Sequence, residues 1–165
     1  MTQPHIILVA EDNDDDFVLL RCAFESARLP HRLIGVANGV EALDYLYADG
    51  PFANRSAYPF PDLMLLDLQM PVMDGIEVLA AVKERIEFRH LPIVALSSID
   101  DAEAMQEVLK LGAKDFLIKP VTMEERIEIA RKLHSRWLEG ENYPVAGPRD
   151  INPWEIEPSD PKKQL

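Results

Sequence analysis

The sequence predicts an α/β fold of the doubly wound kind: a parallel five-stranded sheet in the order 2-1-3-4-5 with helices on both faces. Three observations carry this. Five short apolar runs alternate with five stretches whose apolar residues recur every three or four positions. The runs, Leu63 to Leu66 above all, lack polar alternation, as strands covered on both faces do. A length of 165 residues with 47% hydrophobic residues supplies one core, and no second folded domain fits beside it.

The elements follow in order. HIILVA at 5–10 is the first strand, with a helix over 14–28; RLIGVA at 32–37 is the second, with a helix over 39–48. DLMLLD at 62–67 precedes a helix over 75–88, and PIVALS at 92–97 precedes one over 101–111. DFLIKP at 115–120 is the last strand, and a helix over 122–138 closes the (βα)5 series. Asp100 to Glu103 and Thr122 to Glu125 have cap-and-box spacing, and Gly112 sits where a helix C-terminus takes a left-handed residue.

Composition narrows the function classes. A net charge of -12 disfavours nucleic acid and anionic membrane as partners, because phosphates reward clustered Lys and Arg that this chain lacks. The sole cysteine, Cys22, has no internal disulfide partner and reads as a small core residue, which suits a reducing cytoplasm. No apolar run approaches the ~18 residues of a membrane span. The opening MTQPHIILVAED has neither a basic start nor a long apolar stretch, so a cytoplasmic location is expected.

In open α/β sheets function gathers at the carboxyl ends of the strands, where the strand order reverses. The topology places Glu11 and Asp12 there after strand 1 and Asp67 at the end of strand 3, with Ser97 and Lys119 at the ends of strands 4 and 5. Three carboxylates converging in one crevice repel, and a hard cation removes the conflict. Magnesium, with its preference for oxygen ligands, suits these acids together with a backbone carbonyl of the following turn, that of Gln69. With Lys119 and Ser97 the set makes a phosphoryl site, in which Asp67 attacks to form an acyl phosphate while metal, ammonium and hydroxyl meet the transferred oxygens.

LVAED, LMLLDLQMPVMDG, VALSS and DFLIKP, in this order and at strand ends, resemble the receiver domain of two-component response regulators over about His5 to Leu138. The resemblance implies the flavodoxin-like receiver fold, Glu11 and Asp12 as the acid pair serving Mg²⁺, Asp67 as phosphoacceptor and the Gln69 carbonyl as a further ligand. It implies Ser97 as switch hydroxyl, Phe116 as switch aromatic and Lys119 as the lysine that pairs with phosphate. Glu11 stands where Asp is the commoner residue, which lengthens one metal-facing arm by a methylene.

Neighbouring readings fail on residues. DNDDDF starts like a calcium loop, but Phe17 replaces the turn glycine and Ala23 holds the twelfth position. A flavin site needs a phosphate cradle after strand 1, where this chain has acids. Phosphatases of the haloacid-dehalogenase type carry a second Asp where this chain has Gln69, so no enzyme is expected beyond Mg-dependent self-phosphorylation and slow self-dephosphorylation.

Residues 1–138 therefore read as the receiver domain and 139–165 as a Pro-rich tail, with no basic output domain. Output is expected through protein contacts. The long connection YADGPFANRSAYPFPDL and the last helix ending in RWL resemble response regulators paired with phytochrome-type histidine kinases. The resemblance implies a sensor histidine kinase as partner and a homodimer through helix 4, strand 5 and helix 5. The alternative is a relay or phosphate sink that hands the group to a histidine phosphotransfer protein. Tyr143, Val145, Ile151, Trp154 and Ile156 give the tail apolar residues with which to dock.

Overall fold

The computed structural model describes residues 4–139, so the expectations for the tail lie outside the described residues. Five strands, β1 (Ile6–Ala10), β2 (Arg32–Val36), β3 (Leu63–Asp67), β4 (Ile93–Ser97) and β5 (Asp115–Ile118), form one sheet in the order β2-β1-β3-β4-β5. Every neighbouring pair is parallel, with Leu8 between Ile34 and Met64, and Asp67 opposite Leu96. The predicted fold class and strand order hold.

The aliphatic runs are explained by the period of two along a strand. Leu8, Ala10, Met64 and Leu66 pack to one side against α2 (Gly39–Tyr47), α3 (Gly75–Lys83) and α4 (Ala102–Lys110) through Leu46, Val78, Leu79 and Val108. Ile7, Val9, Leu63 and Leu65 pack to the other against α1 (Asp14–Ser26) and α5 (Met123–Leu133) through Leu20, Phe24, Ala130 and Leu133. Both faces are covered, so neither alternates with water. Cys22 is free and half-buried rather than a full core residue.

The ends of the helices depart from the sequence reading in four places, each with a local cause. The first helix stops at Ser26, where Arg28 turns left-handed with φ 58°. The third stops at Lys83, and a 3-10 turn over Ile86–Phe88 then carries Phe88 into the core, which a continuous helix to 88 would not do. The fourth is capped by Asp101, not Asp100; its carboxylate accepts from the N–H groups of Glu103 and Ala104. The last becomes a π-type turn over His134–Leu138, which buries Trp137 and Leu138. The Thr122–Glu125 capping box forms as read, and Gly112 takes φ 102°.

The connection between α2 and β3 is held by its own aromatic packing. Phe52, Tyr58 and Phe60 lie against the core, the Tyr45 hydroxyl donates to Pro59 O at 2.7 Å, and Arg55 donates to Leu46 O at 2.9 Å. Close packing also fixes the start of α3. A Cβ on Gly75 would lie 2.5 Å from Asp67 O, so only glycine lets this helix begin on the backbone of the strand end it must support.

Candidate functional site

The carboxyl edge of the sheet brings together Glu11, Asp12, Asp67 and Lys119. Asp67 closes β3 and is 2% exposed, Glu11 follows β1 at 8%, and Asp12 faces solvent. One carboxylate oxygen from each lies within 4.8 Å of the others. The Lys119 backbone N–H donates to Ser97 O at 2.7 Å, which fixes the end of β5. Its ammonium donates to Asp67 Oδ2 at 2.8 Å and meets Glu11 Oε2 at 2.7 Å. The second oxygen of each buried acid takes a backbone donor: Gln69 N–H reaches Asp67 Oδ1 at 3.0 Å and Asn13 N–H reaches Glu11 Oε1 at 3.1 Å.

The electrostatics of this group do not balance. One ammonium serves two buried acids with a third beside them. Burial pushes the Glu11 carboxyl above its usual range, and the Asp67 charge adds to this, against the hydrogen bonds from Lys119 and Asn13. Burial alone would lower the Lys119 pKa, but its bonds to Asp67 and Glu11 outweigh that and hold it above the ordinary value. The ammonium is a fixed positive charge. Three hard oxygen donors with negative charge left over suit a divalent cation, and Glu11, Asp12 and Asp67 would hold it.

The Ser97 hydroxyl and the Phe116 ring have other partners. Ser97 Oγ donates to Ile99 O at 3.0 Å and accepts from Ile99 N–H at 3.1 Å, so the hydroxyl is engaged with the loop before α4. Phe116 is half-buried in β5 opposite Ala95, against the core on the α2–α4 side. Gln69 is exposed in the turn after β3, tied to Asp67 through its N–H.

Two residues at the site were not singled out from sequence, Asp16 and Arg126. Arg126 is buried on α5, donates to Val121 O at 2.7 Å and to Asp16 Oδ1 at 3.2 Å, and Asp16 Oδ2 stands 3.9 Å from the Lys119 ammonium. A signal existed. Arg126, Ala130 and Leu133 recur at the spacing of the buried face of α5, an apolar position given to a charge.

The chain is similar to known proteins over most of its length. The family model for the response regulator receiver domain matches residues 7–146. Response regulator Rcp1 of Synechocystis sp. is 29% identical over 143 residues, which cover 87% of this chain and 95% of that one. A probable methanogenesis regulatory protein, FilR2 of Methanothrix harundinacea, is 30% identical, covering 82% of this chain and 84% of its own. Among solved structures, response regulator RPA3017 in red light signalling of R. palustris superposes with a TM-score of 0.78 at 35% identity, covering 83% of this chain and 95% of that one. The phosphorylated cyanobacterial phytochrome response regulator RcpA does so with a TM-score of 0.75 at 31% identity, covering 83% and 96%. Fold, strand-end acids and the match along most of the sequence agree, and the chain belongs to the response regulator receiver domain family.

Proposed function

We propose that this chain works in the cytoplasm as a response regulator that accepts a phosphoryl group on Asp67 from a sensor histidine kinase, with Mg²⁺ held by Glu11, Asp12 and Asp67 and the Gln69 carbonyl. The observation that carries the reading is a buried Asp67 contacted by a lysine of raised pKa inside an acid cluster with excess negative charge. An Asp67 oxygen attacks phosphorus, the bond from phosphorus to the donor's nitrogen or oxygen breaks with its electrons leaving on the donor, and an acyl phosphate remains. Bound magnesium supplies charge neutralisation at the transferred oxygens. Lys119 already sits on the attacking carboxylate and continues to neutralise the group once it is esterified.

Ser97 is the hydroxyl that leaves Ile99 and donates to the new phosphoryl oxygens, and Phe116 moves further inward as the loop before α4 follows. The affected surface is that of α4, β5 and α5, where Met105, Leu109 and Ile118 are exposed apolar residues. That surface serves a homodimer or a target, so output runs through protein contacts. The likeness to regulators named for red light and phytochrome signalling supports a phytochrome-type kinase as donor.

Incubation with acetyl phosphate and Mg²⁺ tests the reading. One base-labile, acid-stable phosphoryl group is expected on the wild type, none on Asp67→Asn, and none in excess EDTA. Equal labelling of Asp67→Asn sinks the assignment. Ser97→Ala should still label, while hydrogen exchange across 97–138 responds less to beryllofluoride than in the wild type.

A further inference from the structure

The first turn of α1 contains three acids, Asp14, Asp15 and Asp16, which all suit a helix N-terminus. Asp14 and Asp15 are exposed, whereas Asp16 is half-buried. Its two oxygens face two cations. Oδ1 takes Arg126 at 3.2 Å, and Oδ2 points to the Lys119 ammonium at 3.9 Å, beyond hydrogen-bond reach. Arg126 also grips the backbone just past Lys119 through Val121 O at 2.7 Å, so one buried guanidinium orients both the acid and the turn that carries the lysine. A cavity of ≈ 50 Å³ lies between Lys119, Glu11, Asp16 and Arg126, with Leu20 and Pro120 among its walls. The ammonium has room to move.

We propose that Asp16, held in place by Arg126, is a second seat for the Lys119 ammonium, taken when a divalent cation enters the acid cluster. The proposal rests on the reading of Glu11, Asp12 and Asp67 as cation ligands. Lys119 bridges Glu11 and Asp67 and so competes for the negative charge that the cation needs. A double charge arriving beside the ammonium repels it and competes with it for Glu11. A displacement of about 1 Å toward Asp16 brings it to the length of a charge-assisted bond, and Glu11 is released without leaving the ammonium unpaired. Asp16 and Arg126 are thus positioning residues. They set how readily the lysine yields.

A plain tie between α1 and α5 explains the Arg126–Asp16 pair equally well on geometry alone, and it predicts no effect on cation binding that depends on Lys119. Calorimetric Mg²⁺ titration of the full chain separates the two. The variants are Asp16→Asn, Arg126→Met, Lys119→Gln, the double variant Asp16→Asn with Lys119→Gln, and Asp12→Ala as the ligand control. Asp16→Asn is expected to weaken Mg²⁺ binding about fivefold, the scale of a half-exposed ion pair, and to have no effect once Lys119 is Gln. Arg126→Met should give a loss of the same size; should it unfold the chain, the Asp16 and Lys119 cycle stands alone. An equal loss in both lysine backgrounds means that Asp16 acts on the cation directly and overturns the proposal, as does no loss in either. If Asp12→Ala binds Mg²⁺ as tightly as the wild type, the ligand reading falls and takes this proposal with it.

Discussion

The two edges of the sheet carry polar clusters built from residues flanking the same strands, and they differ in how their acids are met: singly by histidine rings and backbone at one edge, converging on one ammonium at the other. At the amino edge, His5 precedes β1, His31 precedes β2, Asp62 precedes β3, and His134 arrives from the end of α5. His5 N–H donates to His31 Nδ1 at 3.2 Å, His31 Nε2 and His134 Nδ1 are 2.9 Å apart, and His134 Nε2 meets Glu139 Oε2 at 2.9 Å. Because His31 Nδ1 accepts, Nε2 must carry its proton and donate to His134, whose own N–H is left for Glu139. Asp62 Oδ2 takes Ile6 N–H at 2.8 Å and lies 3.4 Å from His5 Nδ1. A chain of contacts thus runs from His5 through His31 and His134 to Glu139. At the carboxyl edge, one ammonium faces Glu11 and Asp67 with Asp12 beside them, and among the described residues the acids outnumber the cation that meets them. A cluster whose acids are met singly holds elements together, whereas one with acids in excess is a place where a ligand has work to do.

The difference can be broken at the carboxyl edge first. Lys119→Met removes the cation that Glu11 and Asp67 share, and is expected to destabilise the fold by about 2 kcal/mol in metal-free buffer, below the usual cost of an orphaned buried charge because the site is partly wet. Mg²⁺ should restore most of that. Asp67→Asn works in the opposite sense, since it leaves Glu11 and Lys119 as a matched pair, and should raise stability while abolishing labelling. Urea unfolding with and without Mg²⁺ checks both. A Lys119→Met curve indifferent to Mg²⁺ contradicts the picture of excess charge.

A smaller effect is expected from the amino edge, and it depends on pH rather than metal. Burial, with the neighbouring His134 and His5, holds His31 down to about 4 from an ordinary 6.5. The unfolded chain therefore takes this proton first as pH falls. The stability that neutral His31 contributes is full above 6.5 and is lost progressively toward 4. A protonated His31 would also aim an Nδ1–H at the His5 N–H, donor against donor. Thermal melts between pH 7.5 and 5.5 should show wild-type stability falling with acid, and His31→Phe, whatever its absolute stability, should show a shallower fall. Equal slopes would remove His31 from the account.

Much of this was legible in the sequence because the signals were local. Each strand is one aliphatic run bounded by polar residues, and the site acids sit directly at strand ends, so topology alone carries Glu11, Asp12, Asp67, Ser97 and Lys119 to one edge. What was not legible depends on long-range pairing. Asp16 and Arg126 are 110 residues apart, and His31 and His134 are 103 apart; no periodicity links them. The end of the third helix escaped for a similar reason. Phe88, six residues past Val82, falls off the face that Val78 and Val82 share on a helix, and only the core it must reach fixes where the helix gives way to a turn.

The smallest effect sharpens the comparison by asking whether the carboxyl edge also stores backbone strain. Among the described residues, three non-glycine positions have positive φ, and two of them, Arg28 and Ala48, simply follow helix ends, where a left-handed residue is common. Val72 differs. It is β-branched, 81% exposed and held at φ 69°, in the turn between Asp67 and the Asp74 cap of α3. Met73 N–H closes onto Pro71 O at 2.8 Å across it, which makes the rarer, strained form of γ-turn. No burial compensates for this. Glycine adopts that conformation freely but also gives the unfolded chain more freedom, so the two effects partly cancel. Val72→Gly is expected to stabilise the fold by about 0.5–1 kcal/mol, measured as a shift in the urea midpoint at unchanged slope. If the strain helps hold the turn at the reactive carboxylate, the same variant should take phosphate from acetyl phosphate more slowly than the wild type. A stabilised variant with unchanged labelling rate would mean that the strain is incidental to the site, and an unstabilised one that Val72 rests in its turn without cost.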